Sequence, residues 1–111
     1  MPTTYKILAQ SAPAAATPAI LYGPVGTGIS TVVSTIAVCN RGAAQTTYRI
    51  SLRQGGEPDA TKQYLVYDAT IAANSTATYT LGVTLAAADV IYVQALLATV
   101  TFQAFGSEIS A

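Results

Sequence analysis

The stretch from Thr76 to Leu85 constrains the fold most. Tyr79, Leu81, Val83 and Leu85 alternate one by one with Thr78, Thr80, Gly82 and Thr84. Side chains recur every 3.6 residues on one side of a helix but every second residue on a strand, so this alternation predicts a β-strand with one apolar face. The same period recurs in Val32, Ser34, Ile36 and Val38 against Val33, Thr35, Ala37 and Cys39, apolar at most positions on both faces, as a central strand requires. It returns in Tyr48, Ile50 and Leu52 against Arg49, Ser51 and Arg53. Short strand-like runs also occupy Thr4–Ala9, Tyr64–Tyr67, Val90–Gln94 and Thr99–Phe105.

Between these runs stand residues that suit turns: Asn40-Arg41-Gly42, read as a hairpin-like turn, Gln54 to Asp59, Ala73-Asn74-Ser75, and Ala86 to Asp89, where Asp89 is positioned to cap a backbone N–H. Seven or eight strands at spacings of about 8–14 residues, without a helix-length periodic segment, predict an all-β fold: one β-sandwich with jelly-roll or immunoglobulin-like wiring. Residues 1–28 read differently from 29–111. After a short first strand, Gln10 to Ala19 is rich in Ala and Pro, and Pro13 and Pro18 oppose a helix. The expectation is an extended N-terminal arm over 1–28, closing with the turn-forming Gly23-Pro24-Val25-Gly26-Thr27-Gly28, ahead of a β-sandwich core over 29–111. Fully extended, ten residues of such an arm reach about 33–36 Å, enough to cross onto a neighbouring subunit.

Composition narrows the function. The chain has 111 residues, 51% hydrophobic and only 9% charged, with five Lys/Arg balanced by five Asp/Glu. Ordinary domains carry roughly 25% charged residues. This is the reverse of the disordered signature, and no apolar run approaches the length of a membrane-spanning helix. Met1 to Lys6 does not read as a secretory leader. Lys6, Arg41, Arg49, Arg53 and Lys62 are scattered and balanced by acids, which argues against a nucleic-acid partner.

Catalytic chemistry is equally thin. With no His, neither a serine nor Cys39 has an imidazole base, so no enzyme is expected. Cys39, the single cysteine, reads as a small buried hydrophobe. No His/Cys cluster suits zinc, and no phosphate loop or cofactor motif occurs. Glu57 and Asp59, around Pro58, do not follow a calcium-loop spacing and read as solvated loop charges. Asn74-Ser75-Thr76 matches a glycosylation sequon but reads as a turn into the following strand. No catalytic, metal or cofactor residue is therefore assigned. The seven tyrosines are a richer signal: Tyr64, Tyr67 or Tyr92 suits a carbohydrate site, against the plainer reading of core edge or subunit contact.

The polar strand faces are built from Thr, Ser, Gln and Ala, which lose less on desolvation than Lys- or Glu-lined faces and so suit subunit packing. Few charges remain to guard sheet edges, which favours coverage by a neighbour. Leu21-Tyr22-Gly23-Pro24-Val25-Gly26-Thr27, Val32 through Gly42, Tyr64-Leu65-Val66-Tyr67-Asp68, the Leu85–Val93 segment containing Asp89-Val90-Ile91, and Phe105-Gly106-Ser107-Glu108-Ile109 together resemble small β-sandwich virion proteins of tailed bacteriophages, notably those of cyanobacterial viruses. The order Gly23-Pro24-Val25 departs from the Val-Pro-x-Gly turn more usual there. The resemblance carries no catalytic residues. It implies a virion structural protein. The sparse charge and the arm then point to a capsid decoration or cement protein on the capsid surface, a homo-oligomer such as a trimer whose partner is the major capsid protein or another virion protein. A tail, baseplate or fibre adaptor and a carbohydrate- or host-receptor-binding module are the alternatives.

Overall fold

The computed structural model describes residues 2–110. Nine strands fill it in chain order: β1 (Thr3–Ser11), β2 (Ala19–Tyr22), β3 (Ile29–Asn40), β4 (Thr46–Arg53), β5 (Tyr64–Ile71), β6 (Ser75–Tyr79), β7 (Val83–Leu85), β8 (Val90–Ala95) and β9 (Val100–Ser110). All pairings are antiparallel. One sheet has five strands, ordered β1-β9-β3-β6 with β7 also on β3, and the other has four, ordered β2-β8-β4-β5. The two sheets pack as a sandwich, and the only helical pieces among the described residues are the 3₁₀ turns Gln54–Gly56 and Thr61–Gln63.

The all-β expectation holds, with nine strands in place of seven or eight. The extended N-terminal arm does not. β1 pairs along almost the whole of β9, and β2 pairs with β8, so both belong to the sandwich. The Ala/Pro stretch between them is the crossing from one sheet to the other. It is pinned by the Ala16 N–H donating to the Ala95 carbonyl at 2.8 Å and by the buried Pro13. Prolines forbid a helix there, as expected, but they serve a tight connection and not a reach outward. The following turn is anchored too: Val25 is buried, its N–H donates to the Asp89 carbonyl, and its carbonyl accepts from Ala88.

The core lies between the sheets. Val33, Ile36, Val38, Val100, Phe102 and Ala104 face inward from the five-stranded sheet; Tyr48, Ile50, Ile91, Val93 and Ala95 answer from the other. Tyr48 meets Phe102 and Tyr79 edge-on, at ring separations of 6.1 and 6.4 Å, and its hydroxyl bonds that of Tyr79 across the sandwich. Burial holds the Tyr48 phenol neutral well above its usual range, and the Tyr79 hydroxyl adds to this. Each such large buried side chain contributes about 1.5–3 kcal/mol.

A crease crosses the five-stranded sheet and corrects two strand readings. β1 carries an extra residue at Leu8, opposite Ala104–Phe105 of β9, and β3 one at Ser34, opposite Phe105–Gly106. The bulge shifts the phase of β3, so Thr31 and Val33 face inward before it and Ile36, Val38 and Asn40 after it. Val32 therefore does not share a face with Ile36. At the same level the alternating stretch 76–85 breaks into β6 and β7, Gly82 takes φ +64°, and Leu81 is exposed. Gly106 permits a close approach at this level: a Cβ there would sit 1.9 Å from the Val32 carbonyl oxygen. β3 and β9 approach closely because that side chain is missing.

Asn40-Arg41-Gly42 is not a hairpin and has no left-handed residue; β3 and β4 lie in different sheets. Asn40 is fully buried, and its side chain makes four hydrogen bonds. It donates to the carbonyls of Ala44 (2.9 Å) and Ala72 (3.2 Å) and accepts from the Gly42 N–H (3.0 Å) and the Thr99 hydroxyl (2.9 Å). One amide thus ties three loops at one end of the sandwich. It uses both donors and both acceptor positions.

Candidate functional site

Every charged side chain is engaged, and their placement separates the two outer faces. Lys6 pairs with Glu108 at 2.8 Å, Arg49 with Asp68, Arg53 with Asp59 and Lys62 with Glu57. Arg41 donates to the Ala98 carbonyl, and Asp89 accepts from the N–H groups of Gly55 and Ala86, as its capping role anticipated. Glu108 is the clasp between the sheets. Besides Lys6, its carboxylate accepts from the Tyr22 hydroxyl of the opposite sheet, which also bonds Thr31 at 2.9 Å. The hydrogen bonds from Lys6 and then Tyr22 hold the Glu108 carboxyl below its ordinary range, against partial burial. Burial, and next the Glu108 contact, raise the Tyr22 phenol.

Among the described residues, the outer face of the five-stranded sheet carries no charged side chain. Its cross-strand rows follow from the register: Thr3–Ile109–Ser30; Tyr5–Ser107–Val32–Thr84; Ile7–Phe105–Thr35; Gln10–Gln103–Ala37–Thr78; and Thr101–Cys39–Thr76. Lys6 and Glu108 of these strands point to the other side. Tyr5 is 82% exposed and Ile7 57%, side by side on the edge strand. Cys39 belongs to this face and is half-buried, so it is not a core residue as expected. Strand alternation is the reason, since its neighbours Val38 and Asn40 take the two inward positions.

The outer face of the four-stranded sheet is the opposite in character. Tyr48, Ile50 and Leu52 point inward as the alternation predicted, which sends Arg49, Ser51 and Arg53 outward along β4. Pairing with β5 and β8 brings Tyr64 opposite Ser51 on one side and Tyr92 opposite it on the other. All three tyrosines singled out from the sequence thus share one face. The Tyr64 and Tyr67 rings meet edge to face, 4.9 Å apart at 85°. The Arg49 guanidinium lies 4.2 Å from the Tyr67 ring centre and binds both oxygens of Asp68, at 2.6 and 3.1 Å. Arg53 stacks 3.6 Å over Tyr92, and the Tyr64 hydroxyl donates to Asp59 at 2.9 Å. That pairing places an arginine on an aromatic face twice within one strand, an arrangement suited to the planar guanidinium. The Arg49 contact lowers the Asp68 carboxyl below its usual range, and the same bond raises Arg49. Burial, then the Asp59 bond, raises the Tyr64 phenol.

Three shallow depressions run along this face. One lies between Thr61, Tyr64 and Tyr67; the next has Ser51 as its floor between Tyr64 and Tyr92; the third is bounded by Arg49, Asp68, Gln94 and Leu96. The first two share Tyr64, and the last two share Arg49 and Gln94; the middle one, about 10 Å³, has room for no more than a single water, whereas the first is about 270 Å³.

The loop carboxylates are drawn to separate partners. Glu57 faces Lys62 at 3.7 Å, whereas Asp59 turns to Tyr64. Gln63 staples this loop, accepting from the Ala60 N–H and donating to the Pro58 carbonyl. No group of three His, Cys, Asp or Glu that could hold a metal ion occurs among the described residues. Asn74 is an exposed turn residue at φ +54° immediately before β6, as the turn reading of the sequon required. The charged members of the aromatic face, Arg49, Arg53, Asp59 and Asp68, had escaped assignment. The alternation in β4 already put both arginines on its outward side, but only strand pairing sets them against Tyr67 and Tyr92. Comparison with models of known protein families and with curated proteins yields no match.

Proposed function

We propose that this protein is a structural protein of a tailed-bacteriophage virion, a decoration or cement subunit that stabilises the capsid shell through subunit contacts and performs no chemistry. One observation carries the reading: no described residue puts a charged side chain on the outer face of the five-stranded sheet. The face is about 36 Å long along β9 and about 19 Å wide across four strands, hence roughly 700 Å². A standard interface occupies about 800 Å² on each partner. Threonine, serine, glutamine and alanine desolvate at small cost, while Tyr5, Ile7 and Phe105 supply apolar contact. The strand order also supports jelly-roll wiring, an architecture found in viral capsid domains. With β6 and β7 taken as halves of one interrupted strand, β1-β9-β3-β6 faces β2-β8-β4-β5 as in a double Greek key.

The test places charge at the centre of that face. Gln103→Lys combined with Thr78→Lys should abolish incorporation into particles and leave the urea midpoint of the isolated chain within about 0.5 kcal/mol of wild type. Cys39, the single thiol, should label readily in the free chain and be protected in particles. Reconstruction of purified virions that lack this chain on the shell, or wild-type incorporation of the double-lysine variant, refutes the reading. Copy number that follows the tail and not the shell lattice makes the protein a tail, baseplate or fibre adaptor.

A further inference from the structure

We infer that the tyrosine–arginine face of the four-stranded sheet binds a short chain of neutral sugars, one ring in the notch beside Tyr64 and Tyr67 and the rest over the surface toward Tyr92. Four of the chain's ten charged side chains and three of its seven tyrosines gather there, although no described residue puts a charged side chain on the opposite sheet face. Packing gives no reason for that concentration, because the core lies on the other side of the sheet.

The chemistry of the face selects the ligand. Arg49 and Arg53 are matched by Asp68 and Asp59, so the face has no net charge. An anionic ligand meets two carboxylates and a cationic one meets two guanidiniums. A neutral polyol is served by both, since each sugar hydroxyl donates and accepts, and fixed carboxylates and guanidiniums offer acceptors and donors side by side. The apolar notch between Thr61, Tyr64 and Tyr67 supplies the surface against which the C–H face of a pyranose ring stacks. Tyr67 remains 59% exposed although Arg49 covers part of it.

The groups are also held in place before any ligand arrives. Arg49 is fixed by two bonds to one carboxylate; Tyr64 is fixed by Asp59 and by the Tyr67 ring. Arg53 is largely covered, stacks on Tyr92, and its Nε–H has no partner. Side chains ordered in advance cost less entropy on binding. The notch beside Tyr64 and Tyr67, about 270 Å³, has room for one ring, and the rest of the chain would lie over the open surface of the face.

The test is independent of the virion reading, because it uses the isolated protein. Saturation-transfer NMR against neutral hexasaccharides (maltohexaose, cellohexaose, laminarihexaose and chitohexaose), followed by a broad glycan array, should reveal at least one neutral binder. Its affinity should fall about tenfold in Tyr67→Ala and again in Arg53→Met, one decade being 1.4 kcal/mol, with urea midpoints showing that both variants fold. Gln103→Lys on the opposite face should leave binding unchanged. Silence toward every neutral glycan at millimolar concentration overturns the inference. So does binding confined to polygalacturonate or to chitosan oligomers, or neutral binding that persists in the Tyr67→Ala/Arg53→Met double variant.

Discussion

Replacing Asn40 with alanine should unfasten one end of the sandwich. The side chain is fully buried and makes four hydrogen bonds, to Gly42, Ala44, Ala72 and Thr99. Ala44 and Ala72 lie on exposed residues, so their carbonyls recover water when the amide is removed. The Gly42 N–H and the Thr99 hydroxyl are half-buried and recover less. At about 1 kcal/mol net per bond, the loss comes to about 3–4 kcal/mol. That is a large share of the roughly 5–15 kcal/mol expected of a domain. With a urea slope of about 1–3 kcal/mol per molar, the midpoint should fall by roughly 2 M. Asn40→Asp keeps both accepted bonds but turns a carboxylate toward two carbonyls, so it should be no milder than alanine. Thr99→Val deletes one bond and should cost about 1 kcal/mol. Equilibrium urea unfolding followed by far-ultraviolet circular dichroism measures all three. A shift below about 0.5 kcal/mol in Asn40→Ala would refute the reasoning, because it would mean water replaces every bond the amide makes.

Two other perturbations probe the sheet and the inter-sheet clasp. Gly106→Ala should destabilise by about 3 kcal/mol through overpacking against the Val32 backbone. Gly55→Ala, at φ +65° with open space around it, should cost only about 1 kcal/mol; equal costs in a urea titration would remove the close-approach argument. The folded Glu108 and Asp68 carboxyls titrate below their unfolded values, so their stabilisation is complete above about pH 4.3 and is lost as pH falls through the folded values. Thermal midpoints should therefore hold between about pH 5 and 7 and drop in acid, with a shallower drop in Glu108→Gln; an unchanged acid limb in that variant counts against the clasp.

Much of the architecture was legible because alternation reports which face of a strand is buried. β4 is the clearest case: Tyr48, Ile50 and Leu52 went inward as read, and Arg49, Ser51 and Arg53 went outward. Alternation fails where a residue is inserted. The extra Ser34 in β3 moved Val32 to the opposite face from Ile36, and the adjacent alternating stretch broke at Gly82. Gly82 marks the second event locally, but nothing beside Ser34 marks the first, which lies against Gly106, some seventy residues farther along the chain. The N-terminal arm was misread for a related reason. Pro13 and Pro18 oppose a helix over residues 12–18 despite the alanines, but only the bond to Ala95 shows that they cross between sheets. Likewise Tyr64, Tyr67 and Tyr92 were visible as candidates, whereas their arginine and aspartate partners come from two strands, β4 and β5, and a loop.

The low charge of this chain is the feature on which the proposed subunit contact rests, and the fold gives it a direction. Charged side chains are absent from one sheet face among the described residues, while four of the ten gather on the other. The outer faces of a two-layer sandwich point in opposite directions, separated by two stacked sheets about 10 Å apart. A subunit seated through the uncharged face therefore turns Tyr64, Tyr67 and Tyr92 away from whatever it sits on. Attachment and recognition need not compete for surface, and neither needs a moving part. It follows that glycan binding should survive on intact particles at the affinity of the isolated chain, and the Gln103→Lys/Thr78→Lys variant should detach the protein without weakening that binding. Sugar binding lost on docking would mean that the tyrosine–arginine face is itself the contact, and the two surfaces would have to exchange roles.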